Sequence, residues 1–218
     1  MKTIQFIAGA ALAFALTVPQ AFGADAPPPG FVIPKGSLDA TKAIAGNYVL
    51  DPNHVGVVAR VSHLGFSMSV FRFGTVSAKL LWNPADVAKS TLSATVETKS
   101  LETNVPGFAD ELTGPGFLDA EKYPTATFVS TAFKQTDATH GTVAGTFTLR
   151  GKSAPVTFAV TLVGAGPGFA GSMEMGHVIG MHAETSINPQ DFGLPAMFDT
   201  PILLSVDTEF DRKKADNP

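Results

Sequence analysis

The sequence contains no cysteine and few aromatic residues with polar ends. The absence of cysteine excludes disulfides, thiolate catalysis and cysteine-ligated metal centres. Phenylalanine occurs 17 times, against two tyrosines and one tryptophan. Large rings without polar ends suit a core, or a cavity wall that needs little hydrogen bonding. The fold must therefore be held together by packing and by backbone hydrogen bonds.

Positive charge is also scarce in this chain. There are 15 Lys and Arg residues against 19 Asp and Glu residues, which gives a formal net charge of −4. Binding to a phosphate backbone requires a concentrated basic surface. The one basic run, Arg212 to Lys214, lies at the end of the chain, where a solvated tail explains it. We therefore expect no nucleic-acid partner.

Long apolar runs are missing after the first residues of the chain. Residues 4–18 are mostly apolar, follow Lys2 and precede small residues at 21–24. This is the pattern of a secretory signal peptide. A transmembrane anchor is the alternative, but the run is shorter than the roughly 20 residues that span a bilayer. We expect residues 1–23 to be a signal peptide, and the mature protein to be periplasmic and without a membrane span.

The remaining chain divides into three parts. Residues 24–45 form a lead-in that is rich in proline at its start, residues 46–212 form the folded domain, and residues 213–218 form a tail. Within the lead-in, residues 37–45 predict either a short helical turn with Ser37 as N-cap or an unstructured segment.

Within the domain, apolar and polar residues alternate with a period of two. Clear examples are residues 55–62, 76–82, 92–97, 156–162 and 204–210. Strict alternation indicates strands with one buried and one solvated face, which are normally antiparallel. Turn signals separate the runs, and we place one of them at the glycine-rich residues 164–168. About eight strands at hairpin spacing predict an all-β antiparallel barrel or sandwich.

Residues 104–123 are the one long stretch without alternation. Phe108, Leu112 and Phe117 are spaced to line one side of a short helix, which Gly114, Pro115 and Gly116 would end. We interpret this helical insertion as a lid over an opening of the barrel.

Motifs for catalysis are missing or misplaced. Residues 145–153 resemble a phosphate loop, but five residues separate the glycines where the motif has four, and a strand pattern follows. There is no Gly-x-Ser-x-Gly elbow. His54 follows Asp51, and a hydrogen bond that closes a turn explains it. We expect no enzymatic activity and no cofactor.

One strand carries a combination of residues that could hold a metal. Met173, Met175 and His177 share one face of a continuous strand, and Met181 and His182 follow. A soft ion such as Cu(I) prefers thioether and imidazole ligands. Met also fills irregular apolar space, and His177 and His182 would lie on opposite faces. We favour a lining role and keep copper handling as the alternative.

Alternation also predicts which side chains face the interior. His63 is in phase with Val57 and Val61, so it is either a buried, hydrogen-bonded histidine or a polar contact for the head of a ligand. The predicted ligand-binding residues are Val57, Val61, His63, Leu80, Trp82, Val96, Phe108, Leu112, Phe117, Phe128, Phe147, Phe158, Met173 and Met175.

A series of short segments stands out by its order and spacing. These are residues 48–54, 61–65, 72–73, 97–103, 117–119, 122–128, 143–152 and 191–194. Together they resemble the YceI-like family of secreted lipid-binding barrels. The resemblance implies a lipocalin-like antiparallel barrel in the periplasm that binds a polyisoprenoid or a similar long-chain lipid, without enzymatic activity. Where arginines are usual in that family, this chain has Ala109 and Gln190.

Three hypotheses of function follow from the sequence. The first is a carrier or store for a long apolar lipid, most simply a polyisoprenoid such as an isoprenoid quinone. The second is copper handling through the methionine-histidine strand. The third is a structural or stress protein whose barrel is filled by its own side chains. The sequence leaves a homodimer open.

The signal peptide generates a first testable prediction. Protein purified from its native host should be found in the soluble periplasmic fraction and begin at Ala24 or Asp25, which intact-mass measurement will show. Recovery of the uncleaved chain from membranes would contradict it.

Overall fold

Alternation produces strands throughout the part of the chain that the structure describes. In this computed structural model residues 35–170 and 173–212 are described, with side chains for all of them except 169, 170 and 173–175. They belong to one compact unit. The predicted signal peptide, residues 24–34 of the lead-in, and the tail 213–218 lie outside the described residues.

The elements follow one another in this order: β1 (Gly46–His63), β2 (Ser67–Phe73), β3 (Val76–Trp82), β4 (Thr91–Glu97), β5 (Leu101–Glu102), α1 (Phe108–Thr113), β6 (Thr125–Gln135), β7 (His140–Leu149), β8 (Lys152–Ala170), β9 (Met173–Ile187) and β10 (Ile202–Arg212). Short 3-10 helices lie at Ala40–Lys42, Val87–Lys89, Thr98–Ser100 and Pro189–Phe192. None of the helices among the described residues is long and apolar enough to cross a bilayer.

The sheet closes on itself. Strands β10, β9, β8, β7, β6, β4, β3 and β1 pair in that order, and β1 pairs again with β10. Every pairing is antiparallel. The result is a closed eight-stranded antiparallel barrel, which confirms the predicted fold class.

Strand β1 is long enough to pair with two different strands along one of its edges. Its first residues pair with β3, from Gly46 with Trp82 to Val49 with Lys79, and its last residues pair with β2. Strand β2 pairs in turn with the short β5. The β1–β2 hairpin therefore extends beyond the eight-stranded ring at one end of the barrel.

Side chains alternate between the two faces as the sequence indicates. In β3, Ala78, Leu80 and Trp82 are buried, whereas Ser77 and Lys79 are exposed. The period of two in the sequence thus becomes an apolar inner wall and a solvated outer wall.

The lead-in closes the other end of the barrel. Asp39, rather than Ser37, caps the 3-10 helix there and accepts a hydrogen bond from the Thr41 backbone N–H. Ala43 is fully buried, and its carbonyl accepts a hydrogen bond from Trp82 Nε1 at 3.2 Å. Residues 37–43 therefore pack against this end of the barrel and are not a free linker, and we call them the plug.

The glycine-rich residues 164–168 do not form the predicted turn but lie within β8. These glycines allow the lead-in to approach β8 closely, since Ser37 and Ala165 exchange backbone hydrogen bonds of 2.8 Å. A Cβ on Gly164 would come within 3.0 Å of Gly36, so the plug can lie against β8 only where side chains are missing.

The helix in the insertion is shorter than the sequence predicts. Helix α1 ends at Thr113, and Gly114 follows it in extended conformation. Phe117 lies beyond the helix rather than on its face. Backbone N–H groups of Leu118 and Ala120 donate to carbonyls of Leu112 and Thr113, so the chain folds back under the helix end.

Phe128 generates a prediction for stability. It is buried on β6 and packs edge-to-face against Phe158, with ring centroids 5.1 Å apart. Phe128→Ala should lower the free energy of unfolding by about 3–5 kcal/mol, as for other buried aromatic truncations. Phe66→Ala, at an exposed position, should change it by less than about 0.5 kcal/mol. Chemical denaturation measures both, and equal effects would contradict the assignment of Phe128 to the core.

Candidate ligand-binding cavity

The barrel encloses a cavity of about 1030 Å³. This lies at the upper end of the roughly 300–1,000 Å³ that is usual for small-molecule sites. It runs along the inner wall from Phe210 and Leu50 near the plug to Leu64 and Met197 at the opposite end. The exposed side chains at that end show that the cavity opens to solvent there, and we call this opening the mouth.

Small residues make the space. Five alanines line the cavity: Ala59, Ala78, Ala94, Ala126 and Ala183. Ala78 and Ala94 are direct cross-strand partners on β3 and β4, and Ala94 also faces Phe128 on β6. Side chains of an eight-stranded barrel can fill its interior, so alanine at these positions leaves volume that leucine would occupy.

Phenylalanines, leucines and valines form most of the remaining wall. Phe147 packs edge-to-face on Phe192, with ring centroids 5.2 Å apart. At the mouth, Phe71 contacts Phe108 at 6.2 Å. Such pairs hold each other in place. The wall is therefore apolar and defined in shape.

Most of the predicted site residues lie on this wall. The cavity is lined by Val57, Val61, His63, Leu80, Val96, Phe108, Leu112, Phe117, Phe128, Phe147 and Phe158. The side chains of Met173 and Met175 lie outside the described residues. That these residues contact a ligand is a prediction.

Trp82 requires a correction. Its side chain faces inward, as alternation indicates, but it lines a separate cavity of about 70 Å³ together with Ala40 and Phe133. The indole is held at the plugged end by its hydrogen bond to the Ala43 carbonyl. The prediction failed because it treated the lead-in as lying outside the barrel.

Polar lining residues are concentrated at the mouth. His63 ends β1 there and is exposed, so it is not the buried histidine that we considered as one alternative. The neighbouring polar residues in the lining are Ser62, Ser67, Ser69, Thr103, Asn104 and Glu111. A ligand with one polar end would find its hydrogen-bonding groups at the opening and an apolar surface beyond.

Several lining residues were missed by the sequence analysis. Phe71 and Phe73 lie on β2 in phase with its inner face, so alternation contained that signal. Met197 and Phe198 lie in a loop without periodicity. The side-chain amide of Gln190 positions this loop by donating to the Phe198 carbonyl at 2.9 Å.

Comparison with protein families matches residues 48–210 to the YceI-like domain. The chain belongs to the YceI-like family. A UPF0312 protein of Pseudomonas putida (strain W619) is 35% identical over 172 residues, 78% of this chain and 88% of that protein.

Solved structures share this YceI-like fold. BcnA of Burkholderia cenocepacia superposes with a TM-score of 0.62 at 22% identity, over 73% of this chain and 98% of that one. A polyisoprenoid binding domain from Saccharophagus degradans, implicated in plant cell wall breakdown, has a TM-score of 0.54 at 12% identity, over 75% of this chain and 97% of that one.

Two histidines of the YceI-like barrel wall, His54 and His182, are held by carboxylates. His182 lies on the outer face of β9, where Nδ1 is 2.7 Å from Asp207 Oδ1 and Nε2 is 3.3 Å from Glu184 Oε1. On β1, His54 Nδ1 is 2.6 Å from Asp51 Oδ2, so the expected hydrogen bond is present, but it spans an irregularity of the strand between Leu50 and Val55 rather than a turn. His182 therefore belongs to an outer ion-pair network rather than to the methionine face.

This network predicts a pH dependence of stability. The hydrogen bond to Asp207, followed by the one to Glu184, raises the pKa of His182 above 6.5. Folding thus favours the protonated form of His182. The contribution of this protonation to the free energy of unfolding is complete below pH 6.5, and it is lost as the pH rises through the folded-state pKa of His182. Wild type should exceed His182→Gln in unfolding free energy at pH 5.5, and the difference should shrink by pH 9. A difference that is constant with pH would contradict this.

Phe117 generates a prediction for the opening. It lies at the mouth and packs edge-to-face on Phe198 at 5.9 Å. Phe117→Ala should increase the dissociation rate of a fluorescent apolar probe roughly tenfold, the factor that corresponds to about 1.4 kcal/mol. Phe117→Leu, which keeps an apolar side chain, is the control. Stopped-flow dilution measures the rate, and equal rates for wild type and Phe117→Ala would refute the lid.

Proposed function

We propose that this YceI-like protein binds one molecule of a long apolar lipid in its barrel, a polyisoprenoid such as an isoprenoid quinone, and carries or stores it in the periplasm. The observation that carries the proposal is the cavity of about 1030 Å³ with its wall of phenylalanine, valine, leucine and alanine.

The apolar wall supplies the binding energy that such a ligand needs. Burial of apolar surface contributes about 25 cal/mol per Å². A few hundred Å² of a prenyl chain thus gives on the order of 10 kcal/mol before the costs of association and ordering. Because this attraction is not directional, no large set of matched polar groups is required.

The distribution of polar groups favours an amphiphile with its tail inside. The wall inside the barrel, to which Leu50 and Phe158 belong, is apolar. His63, Asn104 and Glu111 lie at the mouth. A quinone ring or another small polar head would bind there, with His63 as the first candidate for a hydrogen bond.

The comparisons support the choice of ligand class. The Saccharophagus degradans structure with the same fold is described as a polyisoprenoid binding domain. That ligand is a property of that protein, but it gives a precedent for this barrel around a lipid of the proposed kind.

The cavity lining also supports binding without chemistry. His63 and Glu111 are the ionisable residues among the side chains that line the cavity. Both lie at the mouth, so an apolar chain inside the barrel would meet no acid, base or nucleophile pair. A filled structural barrel is less well supported, because its inner positions would carry larger residues than alanine.

A cavity-filling variant tests the proposal. In Ala78→Leu/Ala94→Leu, two adjacent inner positions gain volume, so the affinity of delipidated protein for a long prenyl quinone should fall at least about tenfold. The unfolding midpoint should not fall, because the new methyl groups enter empty space.

The matched control is Ser77→Leu/Thr95→Leu, a pair of cross-strand partners on the outer face of the same strands. Its affinity should equal that of wild type. Absence of quinone binding to delipidated wild type, or equal affinity in the filled variant, would refute the proposal.

A further inference from the structure

The mouth of the cavity carries apolar side chains that point into solvent. Phe66 is 87% exposed, Leu64 is 75% exposed and Met197 is 66% exposed. Val105, Met68 and Val70 are exposed beside them. All except Phe66 also line the cavity, and Phe66 belongs to the same turn as Leu64. The apolar surface is therefore continuous from the interior of the barrel to its outermost tip.

The three segments that carry these exposed apolar side chains are poor in charged residues. Residues 61–70, 103–109 and 192–198 contain no Lys, Arg, Asp or Glu. We call these three segments the rim. Charges return just outside them: Arg60 and Arg72 flank the first segment, and Glu102, Asp110, Asp191 and Asp199 flank the other two. The gap in charge thus coincides with the cavity opening.

The tip of the rim accepts an unfavourable backbone conformation for an apolar residue. Leu64 has φ +53° and Gly65 has φ +77° in the turn that joins β1 to β2. A turn with positive φ at both central residues favours Asn or Asp followed by Gly. Here the first position carries leucine, and phenylalanine follows the glycine. Solubility and turn geometry would both favour polar residues at these positions.

We propose that the rim inserts into the surface of a lipid bilayer, with Phe66 and Leu64 entering deepest, and that ligand passes between bilayer and cavity along the rim. This rests on the proposed function, since a long apolar lipid is stored in membranes and is nearly insoluble in water. Direct contact between the rim and the bilayer allows the lipid to enter the cavity without passing through water.

A bilayer fits the rim better than a second copy of the chain does. A stable protein interface needs roughly 800 Å² and 20–30 residues on each partner. The rim offers six exposed large apolar side chains on a protruding hairpin and two loops. Shallow insertion of a few apolar side chains is how interfacial segments bind lipid.

The charge balance indicates that this contact is hydrophobic. The chain has a net charge of −4, and its rim has no Lys or Arg although Arg60 and Arg72 flank it, so we expect attraction to anionic lipids to contribute little. Binding should therefore depend weakly on salt and on lipid headgroup charge.

A tryptophan reporter tests insertion directly. The single native tryptophan, Trp82, is buried at the plugged end. In Phe66→Trp, a new indole lies at the tip, and its emission should shift to the blue on addition of phosphatidylcholine vesicles. Mixed phosphatidylethanolamine and phosphatidylglycerol vesicles should give a similar shift, at low and at high salt. Wild type should show no change.

A charge at the tip provides the matched loss-of-function test. Phe66→Asp should lower partitioning onto both kinds of vesicle at least about tenfold in a flotation assay. Val163→Asp adds the same charge at a different exposed apolar residue, which is 61% exposed and lies on β8 toward the plug. It should bind like wild type. Neither variant removes a side chain that lines the cavity.

The outcomes are separable. Vesicle binding that Phe66→Asp abolishes and Val163→Asp retains supports the proposal, and it does so even if quinone binding fails and the proposed function falls. No shift in Phe66→Trp, equal loss in both aspartate variants, or no loss in either would overturn it. So would a dimer in light scattering that Phe66→Asp dissociates without any vesicle binding by wild type, because the rim would then hold a second copy.

Discussion

Backbone pairing between β1 and β10 is the interaction on which the rest of this structure depends. The two strands pair from Val49 with Asp211 to Arg60 with Leu203 and convert an open sheet into a ring. Closure removes the sheet edges that would otherwise pair with other chains. It also fixes the circumference at eight strands, and hence a radius at which inner side chains either fill the interior or leave room for one slender ligand.

The size of the inner side chains decides between these two outcomes. Alanines on β3, β4, β6 and β9 leave the space, and phenylalanines form a stiff wall around it. Within the described part of the chain, the plug at Ala43 closes one end, which leaves the mouth as the entrance for a ligand. One feature of the sequence, the choice of small residues at inward positions, thus connects the barrel to its proposed role as a lipid container.

Local patterns in the sequence predict the strands and most of the cavity wall, because alternation is a property of neighbouring residues. They do not predict long-range packing. Trp82 was assigned to the main cavity because nothing in its strand shows that the lead-in packs against it. Residues 164–168 were assigned to a turn because glycines that permit close approach look the same as glycines that permit a turn. Met197 and Phe198 were missed because a loop has no period, and their position depends on Gln190.

Native mass spectrometry of protein purified from its native host tests the central claim most directly. The account predicts one bound molecule per chain, released by organic solvent and identified in the extract as a long apolar lipid with a small polar head. The filled variant Ala78→Leu/Ala94→Leu, produced in the same host, should carry none. Wild-type protein that arrives without ligand, or with a bound metal ion and no lipid, would contradict the account.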